Sequence, residues 1–286
     1  MDGFIIVNKP KQMTSHDVCN ILRGVLHTKK VGHSGTLDPL ATGVLVVGVG
    51  KATKLLNYLE NQVKTYEAEV LFGIKTDSYD ILGNVLEEDN SANPSNIEID
   101  QKLLLLKERT SQIPPIYSAI KVNGKKLYDY AKNGEEVEIL PRNIKIHSLK
   151  RVSDIIDKKV KIEVTADKGF YVRSLVNDLG KELNTCAVMS ELIRTKAGNY
   201  GLDNAQTIEE IKEKGPVIYP IEKVFGYLKR IDVNDYMKKL VLNGVILDER
   251  QFTYDEMFKI FHDNKLIAIY EPIGDKKYKI VIKMED

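Results

Sequence analysis

Strand-like and helix-like patterns alternate irregularly along this chain, and this irregularity constrains the fold most strongly. In residues 65–72 every second side chain from Tyr66 is apolar, which is the pattern of a half-buried strand. Helical spacing marks residues 15–27, preceded by the capping-box pair Thr14 and Asp17, and residues 173–183. This order favours an α+β fold, with a mixed, largely antiparallel central sheet and flanking helices, over a regular βαβ repeat.

The pattern changes near residues 227–234. Short apolar runs then follow at close spacing, at residues 240–245, 258–261, 266–270 and 278–282. Closely spaced short strands predict a small C-terminal all-β module. The length of 286 residues is sufficient for two domains, which we expect to cover residues 1–228 and 229–286.

Charge is distributed unevenly, although the net charge is only +1. Residues 121–173 carry thirteen Lys and Arg against eight Asp and Glu, whereas residues 75–100 carry one against seven. The first of these segments could form an anion-binding surface, or it could be an ordinary solvated face. Charge alone leaves both interpretations open.

Several functional classes fit the sequence poorly. A phosphate-binding loop at Lys51 would need a glycine at Leu45 and a Ser or Thr at Ala52. The five histidines are scattered without the spacing of metal ligands, and Cys19 and Cys186 have none either. The cysteines favour free thiols in a reducing cytosol, and no segment has the pattern of a signal peptide or a membrane span. We therefore expect a cytoplasmic protein without a metal site.

Asp38 stands in a glycine-rich loop and directly precedes a proline. The proline restricts Asp38 to extended backbone angles, and Gly32 and Gly35 allow tight turns and the close approach of a ligand. An aspartate in such a loop is commonly a turn former. The alternative is a carboxylate that is held rigidly for chemistry.

The loop is one of several blocks that resemble the bacterial TruB family of tRNA pseudouridine synthases, and they occur in the family's order over residues 3 to about 202. The matching blocks are Asn8-Lys9-Pro10, Gly32-His33-Ser34-Gly35-Thr36-Leu37-Asp38-Pro39-Leu40-Ala41-Thr42-Gly43, Lys64-Thr65-Tyr66, residues 112–121 and 124–128, and Lys168-Gly169-Phe170-Tyr171-Val172-Arg173-Ser174-Leu175. Ser34 and Val172 stand where the family usually has Thr and Ile.

The resemblance implies the pseudouridine synthase fold with a PUA-like module at the C-terminus. It also implies an isomerase that flips uridine 55 out of the T-arm of tRNA, breaks its N1–C1′ bond and joins C5 to C1′. No cofactor is implied for this reaction. Asp38 would be the nucleophile, Arg173 would keep it ionised, and Tyr66 would stack on the flipped base.

Further residues match positions at which the family binds RNA. Tyr171 and Leu192 would line the base pocket, His33 would fill the space that the base leaves, and Lys9 belongs to the opening motif. An RNA-gripping insertion would cover about residues 114–145, with Lys121, Lys125 and Lys126 on phosphates. We expect a monomer that needs neither a protein partner nor a membrane.

Two alternatives to this enzyme remain. One is a non-catalytic tRNA-binding or folding-assistance protein with a relict pocket, although Asp38, Tyr66 and Arg173 are all present. The other is a guide-RNA-dependent pseudouridine synthase that works within a protein assembly.

Overall fold

A computed structural model describes residues 1–285. The strands of the first 228 residues are β1 (Gly3–Lys9), β2 (Val31–His33), β3 (Thr42–Val49), β4 (Lys64–Phe72), β5 (Ile74–Thr76), β6 (Val85–Glu88), β7 (Ser111–Gln112), β8 (Lys121–Val122), β9 (Lys125–Lys126), β10 (Arg142–Asn143), β11 (Ile146–Arg151), β12 (Lys159–Ala166), β13 (Ala187–Ala197) and β14 (Tyr200–Gly201). The α-helices of this part are α1 (Ser15–Val25), α2 (Leu56–Glu60), α3 (Asn96–Lys107), α4 (Leu127–Asn133), α5 (Val172–Glu182), α6 (Ile208–Lys214) and α7 (Ile221–Val224). Short 3₁₀ helices cover Gly50–Leu55 and Leu202–Asn204.

The central sheet has the strand order β1-β3-β13-β4-β12-β11, with β2 also paired to β3 and β14 to β13. Its pairings are antiparallel except for the short parallel contact of β13 with β3. Buried residues of α1, α3 and α5 pack with the sheet in the main apolar cluster. The predicted α+β fold with a mixed, largely antiparallel sheet is therefore confirmed.

Strand β4 has the two faces that its sequence predicts. Ala68, Val70 and Phe72 are buried, and Glu67 and Glu69 on the other face are partly exposed. Burying a side chain of the size of valine or phenylalanine contributes roughly 1.5–3 kcal/mol each. This apolar face fixes the register of β4 and places Tyr66, at the start of the strand, beside a surface cavity.

Helix α1 begins where the capping box predicts. The Thr14 side chain accepts a hydrogen bond from the Asp17 amide, and the Asp17 carboxylate accepts one from the Thr14 amide. Val18, Cys19 and Leu22 form its buried face. The helix ends at Val25, two residues earlier than predicted.

Two segments differ from the sequence-based prediction. Residues 75–98 are expected to be a loop, yet β5 and β6 form a hairpin there, closed by the Asp77 carboxylate, which accepts bonds from the Asn84 amide and side chain. The residues of β6 are exposed, so no buried face marks this strand in the sequence. In the strand predicted over residues 117–122, only Lys121–Val122 is extended and paired.

The C-terminal part contains β15 (Lys229–Asp232), α8 (Asp235–Leu242), β16 (Leu247–Asp248), β17 (Phe258–His262), β18 (Lys265–Pro272) and β19 (Lys277–Lys283). The strands form one sheet in the order β15-β17-β18-β19-β16, which confirms a small module built on a β-sheet. The strand expected over residues 240–245 is wrong, because Asn234 caps helix α8, which continues to Leu242. Ile269 and Ile282 of this sheet share an apolar cluster with Phe4 of β1.

Candidate active site

The loop of residues 34–41, named here the Asp38 loop, connects β2 to β3 and is held by hydrogen bonds at several points. The Ser34 amide donates to the Val46 carbonyl at 2.9 Å, and the Leu37 amide donates to the Ser15 hydroxyl at 2.8 Å. Gly35 has a φ of +114°, a backbone conformation that other residues rarely adopt. The loop thus presents Asp38 from a fixed backbone.

Asp38 forms an ion pair with Arg173, the second residue of α5. The Arg173 Nε lies 2.9 Å from Asp38 Oδ2, with the arginine side chain 6% exposed and the aspartate side chain 36% exposed. The other nitrogens of the guanidinium donate to the Ser78 carbonyl at 3.2 Å and the Tyr117 carbonyl at 3.0 Å, and Asp80 Oδ2 lies 3.7 Å away. A guanidinium held in this way fixes the position of the Asp38 carboxylate through a charge-assisted contact while leaving part of that carboxylate open.

A cavity of about 320 Å³ opens beside this ion pair. Its lining includes four of the predicted residues besides Asp38, namely Tyr66, Tyr171, Leu192 and Arg173. Burial raises the pKa of Tyr171, so its phenol stays protonated at neutral pH. Aromatic and aliphatic walls next to an ionised carboxylate suit a planar, polar ring such as a nucleobase.

Lys9 and His33, both predicted to bind substrate, do not line this cavity. Lys9 is fully buried, and its amine donates to the Pro10 carbonyl at 2.9 Å and the Met13 carbonyl at 2.6 Å. Burial lowers the pKa of Lys9 to about 8. Burial also lowers the pKa of His33, whose Nδ1 has no hydrogen-bond partner among residues 1–285.

Lys121, Lys125 and Lys126 lie in the β8–β9 hairpin, away from the cavity lining. Lys125 pairs with Glu135 at 2.6 Å and lies 4.7 Å from the ring centre of Tyr130. The hairpin lies within a segment whose ends are joined by the pairing of β7 with β10. The basic hairpin is therefore part of one insertion that lies outside the central sheet.

Sequence reasoning assigned no site role to two buried cations of the cavity lining, Lys64, which belongs to a matching block, and Arg194. The Lys64 amine donates to the carbonyls of Glu60 and Gln62, and burial lowers its pKa to about 8. Arg194 is 1% exposed within β13. The available signal was the alternation of β13, which puts Arg194 in phase with the buried Leu192, since arginine is rarely buried without a partner.

A second cavity, of about 460 Å³, lies on another side of the same ion pair. Asp38 and Arg173 belong to its lining together with Asp80, Leu82 and Tyr128.

In the part of the chain that the structure describes, no cluster of His, Cys, Asp or Glu is arranged to hold a metal ion. No helix within residues 1–285 is both long enough and apolar enough to span a membrane.

Comparison with known proteins gives matches along most of the chain. The family model described as TruB family pseudouridylate synthase, N-terminal domain, matches residues 23–172, and the model described as tRNA pseudouridylate synthase B C-terminal domain matches residues 173–224. The tRNA pseudouridine synthase B of Bacillus pumilus is 39% identical over 285 residues, covering 96% of this chain and 91% of its own length. The protein of the same name from Clostridium tetani is 38% identical over 275 residues, covering 94% and 95%.

Among solved structures, the crystal structure of a Cbf5-Nop10-Gar1 complex contains a chain that superposes with a TM-score of 0.69. The match covers 99% of this chain and 84% of that one, at 23% sequence identity. At this level of identity the likeness concerns the fold, and it supports the pseudouridine synthase fold with its C-terminal β module.

Proposed function

The chain belongs to the TruB family of pseudouridylate synthases, and we propose that it converts uridine 55 in the T-arm of tRNA to pseudouridine. The prediction of this family, and of an isomerase that acts on a uridine of tRNA, is confirmed by the matches. The choice of position 55 and the roles of individual residues are parts of the proposal.

The observation that carries the proposal is the Asp38–Arg173 ion pair in the wall of a cavity that is large enough to admit a nucleobase. An ionised carboxylate with limited hydration is a competent nucleophile. In the proposed reaction Asp38 attacks either the base or the sugar C1′, and the N1–C1′ bond breaks. The base then turns, C5 bonds to C1′, and the bond to Asp38 breaks, which restores the free carboxylate. The C5 proton is then lost, and N1 is protonated.

The target base must leave its stack to reach Asp38. Flipping costs a few kcal/mol, which stacking in the pocket offsets. We assign the stacking role to Tyr66 and the remaining pocket walls to Tyr171 and Leu192, because all three line the cavity. His33 would occupy the space that the base leaves, and Lys9, whose amine is buried against the Pro10 and Met13 carbonyls, would support substrate binding as part of the opening motif.

The basic hairpin supports a role in holding the RNA. Lys121, Lys125 and Lys126 would contact phosphates, and the insertion of residues 114–145 would close over the T-arm stem-loop. We further propose a catalytic domain of residues 1–228, a PUA-like domain of residues 229–286, and a monomer without an obligatory protein partner. The two free, buried cysteines are consistent with a cytoplasmic location.

The test is the substitution Asp38→Asn, assayed by release of tritium from C5-labelled uridine in tRNA. We expect release to fall below detection while tRNA binding stays close to that of the unaltered chain, because the amide has nearly the same shape without the charge. Asp154→Asn is the matched control, since that side chain is 75% exposed and pairs with Arg151 outside the cavity. Normal turnover by Asp38→Asn would rule out the mechanism.

The same assay addresses the two alternatives. A non-catalytic tRNA-binding protein would release no tritium with either the unaltered chain or the control. A guide-RNA-dependent enzyme would be inactive on a bare T-arm stem-loop, whereas we expect the purified chain to be active on it.

A further inference from the structure

We propose that Arg194 is a positioning residue that holds the Asp38 loop in its reactive geometry, an inference that rests on the proposed function. Arg194 lies in β13 between two strands of the site. Its backbone is paired with Gly43 of β3 on one side and with Tyr66 of β4 on the other. One residue therefore adjoins both the end of the Asp38 loop and the tyrosine proposed to stack on the base.

The guanidinium of Arg194 spans from β3 to the residues just before Asp38. Its Nε donates to the Val44 carbonyl at 2.7 Å. Its two terminal nitrogens face the carbonyls of Gly35 and Thr36, at 3.4 and 3.5 Å. These long contacts are individually weak, but they converge from a single planar group on two consecutive carbonyls of the loop.

The backbone of Gly43, which follows the Asp38 loop, is packed tightly against the backbone of Arg194. Gly43 has a φ of +103°, and a Cβ added to it would lie 2.3 Å from the Arg194 carbonyl oxygen. Only glycine can be accommodated in such a close approach. A displacement of Arg194 is therefore transmitted to the chain immediately after the Asp38 loop.

The contact between Arg194 and the Asp38 loop, named here the tether, stabilises both partners because Arg194 is charged. Within residues 1–285 the hydrogen bonds of the guanidinium go to backbone carbonyls and it forms no ion pair with a carboxylate, while the residue is only 1% exposed. A buried charge without an acidic partner is costly unless polar groups solvate it, and here the carbonyl dipoles of residues 35, 36 and 44 do so. The carbonyls therefore stabilise the buried charge, and the arginine in turn holds the loop in place.

Several other contacts also hold the loop, among them the hydrogen bond from the Ser34 amide to the Val46 carbonyl. The Ser15 hydroxyl binds the Leu37 amide, and Arg173 binds the Asp38 carboxylate. Removing Arg194 would leave these contacts in place, so we expect the loop to shift and loosen rather than unfold. A displacement of about 1 Å at a reacting group can lower a rate by about 100-fold.

The experiment compares Arg194→Met and Arg194→Lys with the control Arg151→Met. Arg151 lies in β11, which is the edge strand of the central sheet opposite β1, and its guanidinium donates two hydrogen bonds to the Asp100 carboxylate. Its loss therefore lowers stability without affecting the site. The single-turnover rate of tritium release is measured with limiting tRNA and saturating enzyme, and the Kd for tRNA is measured separately. We expect Arg194→Met to lose about 100-fold in rate with a Kd within about three-fold of the unaltered chain.

Arg194→Lys keeps the charge but cannot reach all three carbonyls, so we expect its rate to lie between those of Arg194→Met and the unaltered chain. The control is expected to keep the normal rate when the rates are compared at equal folded fraction. A normal rate in Arg194→Met, or a Kd that rises as much as the rate falls, overturns the inference.

Amide hydrogen exchange in residues 34–41 measures the tether independently of the reaction. We expect faster exchange in Arg194→Met than in Arg151→Met, and equal exchange overturns the inference. If the unaltered chain releases no tritium while this difference in exchange persists, the proposed function fails and the tether stands.

Discussion

Replacing Arg173 by methionine tests the most polar contact of the site. The Arg173 side chain is 6% exposed and faces two carboxylates, Asp38 and Asp80, as well as the carbonyls of Ser78 and Tyr117. Methionine retains much of the volume but offers none of the five N–H donors of arginine. All four acceptors therefore lose a partner at once.

The magnitude follows from how deeply each acceptor is buried. Asp38 is 36% exposed and can recover solvation, whereas Asp80 is 10% exposed and is left as a buried charge. Removing one partner of a buried pair costs about 3–5 kcal/mol. Because native proteins are stable by only about 5–15 kcal/mol, we expect Arg173→Met to fold but to unfold at clearly lower urea concentration.

Urea denaturation with a second substitution identifies the cause. Adding Asp80→Asn to Arg173→Met removes the uncompensated charge and keeps an acceptor for the Ser78 hydroxyl and the Leu82 amide, so about 1–3 kcal/mol should be recovered. The control Arg250→Met breaks a pair whose arginine is 80% exposed and should cost less than about 1 kcal/mol.

Two results would refute this reasoning. One is an Arg173→Met variant that is no less stable than Arg250→Met. The other is a double variant in which Asp80→Asn adds a further loss of stability instead of recovering part of the first.

Three further expectations concern the charge and the aromatic group around the site. Folding lowers the pKa of Lys64 from 10.5 to about 8, so between these pH values the unfolded chain binds more protons and the stability of the folded chain rises with pH. In urea titrations across this window, the unaltered chain should gain up to about 3 kcal/mol of stability relative to Lys64→Met. Tyr66→Phe should keep tRNA binding and lower the rate of tritium release only if the hydroxyl assists loss of the C5 proton, so an unchanged rate excludes that role. Lys121→Ser and Lys126→Ser should each weaken tRNA binding and reduce the salt dependence of log Kd by about 1, and an unchanged slope would show that these side chains do not contact phosphates.

Much of the fold could be predicted because several segments carry a strong local signal. The alternation in β4 and the capping box of α1 each depend on residues within a few positions of one another. Local signals failed where burial did not mark the element. The exposed hairpin of β5 and β6 has no apolar face, and the apolar run of residues 240–245 lies at the end of helix α8 because Asn234 caps that helix.

The candidate site divides in the same way. Its family motifs singled out Asp38, Tyr66 and Arg173, and the structure brings these three residues to one cavity. The same motifs included His33 and Lys9, which do not line that cavity, and their substrate contacts stay predictions. Nothing local to Arg194 indicated that its guanidinium faces carbonyls 150 or more positions earlier in the chain.

The sequence by itself determined which residue types are available, where most strands and helices form, and that a rigid loop carries Asp38, because these features depend on short-range sterics and periodic burial. Only the tertiary structure decided that Arg173 and Arg194 approach this loop from two different elements. Their positions depend on the order and register of β3, β13 and β4, and these pairings are fixed by the packing of the whole core rather than by any segment alone.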